Sequence, residues 1–206
     1  MSTILEKNDS GEDSDSETSC MYTEDIWKLY FHDPIDTNWL HESYKVVTQI
    51  STANDFNGVH TALKDIVHNG MFFLMREHIF PAWDDHSNIS GGCICIKIPK
   101  SDVEPFWKGM CASLIGETIV KKEFIHLNCK VNGVSISPKN FFCIVKLWLS
   151  TNCFEKYAPH CFDLPDFDGQ VIYKANHEES QRFAVERSQE NPKEKQTTIR
   201  KKIYVQ

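Results

Sequence analysis

Ser101-Asp-Val-Glu-Pro-Phe-Trp-Lys-Gly-Met-Cys-Ala-Ser-Leu-Ile-Gly116 is the clearest helical signal in the chain. Val103, Phe106, Trp107, Met110, Cys111, Leu114 and Ile115 recur at three-and-four spacing, which gives an α-helix one continuous apolar stripe. Ser101 and Glu104 have the spacing of a capping box, Pro105 suits the first turn, and Gly116 suits the end. The flanking sequence has a different period. Gly92-Cys-Ile-Cys-Ile-Lys-Ile98 before it, and residues 131–137 and 142–149 after it, are rich in β-branched and aromatic residues. Pro138-Lys139-Asn140 supplies a turn between the last two.

Working outward, residues 26–31 (Ile-Trp-Lys-Leu-Tyr-Phe) alternate as a strand, and residues 43–50 and 71–76 form two more. Thr52 followed by Asp55 is a second capping box, opening a helix over about 53–66. A loop containing Asp33-Pro34 and Asp36 delivers Trp39, and a polar loop over 77–90 carries Pro81-Ala82-Trp83-Asp84-Asp85. A short third helix fits about 153–162, limited by Pro159. Strands near 170–173 and 201–205 bracket a charged stretch expected to be a mobile loop over about 175–198. Strands outnumber helices and no βαβ alternation appears. The fold class is therefore α+β, a mostly antiparallel sheet with helices on one face and the other face free to bind.

The 206 residues, 41% hydrophobic and 12% aromatic, suffice for one packed domain. Charge is uneven. Residues 1–25 hold eight acids and one lysine, a net of −7, equal to that of the whole chain, so residues 26–206 sum to zero. Residues 1–24 read as a disordered acidic tail and 25–206 as the binding domain. A neutral body lacks the basic stripe that wraps long nucleic acid, yet a few placed groups can still grip one nucleotide. No apolar run spans a membrane and no secretory signal opens the chain, so a cytoplasmic, reducing setting is expected. The eight cysteines show no CxxC pair and read as buried free thiols. No metal or cofactor is implied.

Five tryptophans narrow the function. Trp107 lies on the helical stripe, and Trp27 and Trp148 lie in strands, where core packing is the plain expectation. Trp39 and Trp83 sit at loops among polar residues. Each could fold back as a lid on the core. Together they could sandwich a flat ligand, and a cationic ring such as 7-methylguanine would gain further attraction to the indole faces. A carboxylate at Asp84 could accept hydrogen bonds from guanine N1–H and its exocyclic amine. Enzyme chemistry has little support: no Gly-rich phosphate loop, no HExxH, no GxSxG, and only one adjacent His-Cys pair.

These segments, in this order, resemble eukaryotic translation initiation factor 4E. The resemblance is carried by Trp27-Lys-Leu-Tyr-Phe31, Trp39, Ser51-Thr-Ala-Asn-Asp-Phe56, Phe80-Pro-Ala-Trp-Asp-Asp85, Gly91-Gly92, Phe106-Trp107, Leu114-Ile-Gly-Glu117 and Leu147-Trp148. It runs from about Ile26 to the carboxyl end, where Lys202-Ile-Tyr-Val205 looks like the family's closing strand. It implies a curved sheet of about eight strands backed by three helices on the convex face, with an mRNA cap bound on the concave face. Trp39 and Trp83 fall on the family's stacking pair and Asp84 on its guanine-reading acid, one methylene shorter. Trp148 falls on the residue touching the N7-methyl group, and Lys139 on a phosphate-binding base.

The departures are equally specific. Ile144 stands where the family has a second phosphate-binding Lys, and Cys93 where it has an Arg near the phosphate path. Lys146, at the strand parity of Trp148, is the expected substitute, with Arg182, Arg187, Lys193 and Lys195 as further cations. On the convex face Asn57 stands where a tryptophan grips the Tyr-x-x-x-x-Leu helix of the scaffold factor 4G. Lys108, Gly109 and Ala112 replace mainly apolar neighbours. The resemblance thus implies a monomeric, non-enzymatic protein whose partners are capped mRNA and a non-standard scaffold of the 4G type, without a membrane. A cap-binding repressor that recruits no usual scaffold is the alternative.

Overall fold

A computed structural model of the chain describes residues 21–128, 130–153, 159–178, 180–182 and 185. The strands are β1 (Tyr22–His32), β2 (Lys45–Thr52), β3 (Met71–Arg76), β4 (Gly92–Pro99), β5 (Val131–Pro138), β6 (Phe142–Leu149) and β7 (Val171–Ala175), with helices α1 (Ala53–Leu63) and α2 (Val103–Ile115). Among the described residues the strands form one seven-stranded sheet in the order β2-β1-β3-β5-β6-β4-β7, every pairing antiparallel.

Side-chain alternation along each strand divides the sheet into two faces. Trp27 and Leu29, Phe72 and Leu74, Ile94 and Ile96, Val134 and Ile136, and Val145 and Leu147 face the helices, where Phe106, Trp107, Met110 and Leu114 of α2 complete the main core. The intervening residues point the other way. Tyr30, Phe73, Met75, Cys93 and Trp148 form a second, smaller cluster, packed by Tyr44, Phe80, Trp83 and Cys95. A strand buried on both faces should show no alternation. All six residues of β3 are buried, as its position inside the sheet requires.

The Thr52–Asp55 capping box forms as expected: Asp55 N donates to Thr52 Oγ1 at 3.1 Å, and Thr52 N to Asp55 Oδ2 at 2.9 Å. A second backbone donor, Ser51 N, is the largest cause holding the Asp55 carboxyl below its ordinary range. The capping box at Ser101 does not form. Asp102 N closes a turn on the Pro99 carbonyl, so α2 begins at Val103 with Asp102 as its N-cap and no side-chain cap bond. Gly116 ends α2 as expected, and Glu117 turns into left-handed backbone at φ 53°. Its carboxylate meets Arg76, which also binds Asp25 and the Val131 carbonyl and lies over the Trp27 ring.

Other boundaries shift. β1 begins at Tyr22, four residues before Ile26. A short 3₁₀ turn at His41–Ser43 delays β2 to Lys45, two residues after the expected start, and another at Lys122–Leu127 lies where no element was expected. β7 runs to Ala175, and residues 176–178 and 180–182 are helical rather than loop. The acidic residues 1–20, the core of the expected third helix (154–158), the closing strand over 201–205, and Arg187, Lys193 and Lys195 lie outside the described residues. Among the described residues, Cys93, Cys111, Cys143 and Cys161 are buried and Cys95 and Cys153 half-buried. Among the described residues no helix is long and apolar enough to cross a membrane.

Candidate functional site

The sheet face opposite the helices carries a cleft of about 530 Å³. Its lining includes Trp39, Trp83, Asp84, Trp148, Lys139 and Lys146, the six residues singled out in the sequence for ligand binding. Tyr44, Met71, Phe73, Ile172 and Lys174 line it as well.

The floor follows from strand parity. Lys146 and Trp148 alternate with Val145 and Leu147, which are committed to the helix-side core, so both point into the cleft. Trp148 is 2% exposed and its indole N–H donates to Ser135 Oγ at 2.9 Å, so it is at once packed core and cleft floor. Opposite it in register lies Gly133, where a Cβ would run into Met75 Sδ and the Leu74 carbonyl; only glycine lets β5 lie this close to β3. Cys93, also opposite Trp148, is buried and its thiol donates to Asn176 Oδ1 at 3.3 Å. Cys93 is thereby part of the floor's packing.

One wall is the loop after β1. Trp39 is 37% exposed and is backed by His32, whose ring lies 4.3 Å away and 5° from parallel. Tyr44 sets its edge against His32, Phe73 and Phe80 at 4.8–5.4 Å. Burial, and then the nearby Asp84 carboxylate, push the Tyr44 phenol well above its ordinary pKa, so it stays a neutral hydroxyl.

The other wall is the loop carrying Trp83, held by buried amides. Asn88 Nδ2 donates to the Phe80 and Ala82 carbonyls at 3.0 and 2.9 Å, and Asn132 Nδ2 to the Ser87 carbonyl and Asn88 Oδ1 at 2.7 and 2.9 Å. Asn176 Nδ2 donates to the Asn88 carbonyl at 2.8 Å. These bonds fix Trp83 before any ligand arrives, so little ordering entropy remains to be lost on binding. The adjacent acids have separate tasks: Asp85 accepts from Ser87 N at 2.8 Å and Phe80 N at 3.4 Å, whereas Asp84 is exposed on the cleft. Lys146 Nζ lies 5.0 Å from the centre of the Trp83 ring.

The cleft therefore offers indole and phenyl surfaces, one uncommitted carboxylate and the cations Lys139, Lys146 and Lys174. It suits a flat ring that presents N–H donors and carries an anionic tail. Among the described residues no group of three or more His, Cys, Asp or Glu could hold a metal. Sequence reasoning passed over Lys174, although its parity with Ile172 puts both on the cleft side of β7. It also passed over Asn88 and Asn132, whose work depends on a loop path that no local pattern encodes.

The second group of singled-out residues lies on the helices across the sheet. Asn57, Lys108 and Ala112 are exposed, as expected of a surface. Gly109 is half-buried: an added Cβ would lie 2.9 Å from Pro165 Cγ, so the strand of chain near Pro165 already covers it. Phe167 packs edge-on against Phe106 at 5.7 Å. His60 of α1 and Glu104 of α2 are joined at 2.8 Å across the same surface.

The family model "Eukaryotic initiation factor 4E" matches residues 22–202. Eukaryotic translation initiation factor 4E of Candida albicans is 27% identical over 133 residues, covering 59% of this chain and 61% of that protein. A homolog from Acanthamoeba polyphaga mimivirus is 25% identical over 132 residues, 57% of this chain and 47% of that protein. The chain thus spans roughly half to three-fifths of the length of these curated relatives. Among solved structures, C. elegans eIF4E-3 in complex with the 4E-binding protein Mextli superposes with a TM-score of 0.63 at 16% identity, covering 79% of this chain and 97% of that one. Schistosome eIF4E complexed with m7GpppG and 4E-BP gives 0.60 at 20% identity, over 76% and 88%. At these identities the structural likeness establishes the fold.

Proposed function

The chain belongs to the eukaryotic initiation factor 4E family, and from that premise we propose that its cleft binds the 7-methylguanosine cap of mRNA 5′ ends. The observation that carries this is the convergence of Trp39, Trp83, Asp84 and Trp148 on one cleft with Lys139 and Lys146. In this reading the cationic base stacks between Trp39 and Trp83 over Trp148, and Asp84 accepts from its Watson–Crick edge. Lys139 binds the phosphates, with Lys146 assisting once the base has taken the Trp83 face. The site binds and releases its ligand without chemistry. The protein acts in the cytoplasm in translation initiation, as a monomer, through a scaffold of the 4G type fitted to the altered surface around Asn57 and Lys108. Titrating intrinsic tryptophan fluorescence with 7-methyl-GTP against GTP tests the cap assignment, and equal quenching by the two nucleotides refutes it.

Asp84→Asn is expected to weaken binding by about 1 kcal/mol, because the amide brings a donor against guanine's donors. Asp85→Asn should act on the stability of the loop, since its carboxylate is engaged with Ser87 and Phe80. A loss of affinity confined to Asp85→Asn, with the fold intact, would move the base-reading role by one residue. Lys139→Ala is expected to lower affinity and to flatten its salt dependence by about one phosphate contact. Affinities measured between low and physiological salt check this, and an unchanged slope removes Lys139 from the phosphate path.

The polar surface around Asn57, with Gly109 under Pro165, gives specific support to a second reading, a cap-binding repressor that recruits no scaffold. Adding the protein to a cap-dependent translation extract separates the two by the sign of the effect.

A further inference from the structure

Both ring nitrogens of His32 face carbonyl oxygens, Nδ1 at 2.9 Å from that of Asp33 and Nε2 at 2.8 Å from that of Asn38. The ring is fully buried and stacked on the Trp39 indole. We propose that His32 is a positioning residue for the Trp39 wall and acts as an imidazolium, so that the cleft tightens when His32 takes up a proton. The consequence for ligand affinity rests on the cap-binding reading above.

A neutral imidazole has one N–H and one bare lone pair. Set between two carbonyl oxygens, it satisfies one and directs a lone pair at the other. Only the imidazolium donates to both, and a ring with no exposed surface has no solvent to replace a missing partner. The two acceptors stand at the ends of the loop over 33–38, the second of them next to Trp39. Double donation therefore closes that loop onto the ring and sets where the indole stands. Stacking on the indole face favours the same charged form.

The neighbouring groups are consistent with a cation here. From the loop come the Asp33 and Asp36 carboxylates, whose Oδ1 atoms accept from Ile35 N and Asn38 N. From the segment after Trp39 come exposed Glu42 and the Tyr44 phenol, the latter neutral. Met71 of β3, the register partner of His32, is uncharged. From the Trp83 loop, Asp84 lies close enough to act on Tyr44. The nearby cation candidates are His41, stacked on Phe80, and Lys45, which is paired with Phe31 and so belongs to the opposite face of the sheet. Lys139 lines the same cleft as Trp39 and Met71.

Fluorescence tests the pairing without any nucleotide, because a protonated imidazole in contact with an indole quenches its emission. The full chain, His32→Phe and Trp39→Phe are each titrated between about pH 5 and 8, the range in which histidine changes charge. The expected result is a rise in emission with pH that both substitutions abolish. A wild-type protein without that rise, or a rise kept in His32→Phe, overturns the proposal. Should His32→Phe not fold, a rise kept in Trp39→Phe overturns it equally.

Affinity for 7-methyl-GTP forms the second arm. The ratio of wild-type to His32→Phe affinity should fall about three- to tenfold from the acid to the alkaline end, the equivalent of one net hydrogen bond. The ligand's own ionisation and that of Asp84 are common to both proteins and cancel. A constant ratio overturns the proposal. If no nucleotide binds at any pH while the emission step is present and lost on substitution, the cap reading fails and the His32–Trp39 pairing stands.

Discussion

Replacing Trp83 with alanine is expected to weaken 7-methyl-GTP binding by about 1–3 kcal/mol, roughly five- to 150-fold. Trp39→Ala should fall in the same range. The base loses a stacking face in each case, and because it is sandwiched, the two losses should not add. Methylation supplies a further term: a cationic ring between indoles gains about 2 kcal/mol when desolvated, so wild-type protein should prefer 7-methyl-GTP to GTP and either variant should lose much of that preference. The Asn88, Asn132 and Asn176 amides hold the loop around Trp83 through bonds that do not involve the indole, so Trp83→Ala should keep its circular dichroism. Fluorescence titration and isothermal calorimetry read both quantities. Wild-type affinity from a Trp39→Ala/Trp83→Ala double variant would remove the stacking model.

What could be read in the sequence was what local chemistry dictates. Thr52 and Asp55 make their box because both partners lie within one turn of each other. Strand parity alone places Lys146 beside Trp148 and opposite Val145. The box at Ser101 failed on a competing local bond, the Asp102–Pro99 turn, which pattern matching does not weigh. The site divides along the same line. Trp39, Trp83 and Asp84 stand out as polar-loop residues, but that they share one cleft is a long-range fact, carried in the sequence only by resemblance. His32 left no signal. At the end of a strand it is an ordinary histidine, and its significance depends on where the carbonyls of residues 33 and 38 turn. Trp148 belonged to two categories at once, core and site, because the floor of a cleft on a sheet is also the sheet's own packing.

The largest effect on the other face concerns the partner helix. The chain is expected to bind an ordinary Tyr-x-x-x-x-Leu peptide of scaffold 4G at least about 2 kcal/mol, or roughly 30-fold, more weakly than a family member with tryptophan at this position. Three features of the described surface act together. Asn57 presents an exposed amide where the resemblance implies an indole that would bury the peptide's apolar side chains. Lys108 brings a hydrated charge whose desolvation opposes docking. Pro165 already lies on Gly109, and the His60–Glu104 pair closes the polar surface between α1 and α2, so an incoming helix meets occupied contacts. Asn57→Trp should recover part of the affinity, because Asn57 is exposed and the added ring has room. Cap affinity should stay unchanged, since the sheet and its main core separate the two sites. Isothermal calorimetry with a conventional 4G peptide decides the matter. Micromolar or tighter binding to the unmodified chain would mean that the altered residues do not define the contact. Tight binding gained only with Asn57→Trp would locate the missing energy at that position and imply that a natural scaffold, if one is used, carries a polar counterpart to Asn57 and Lys108.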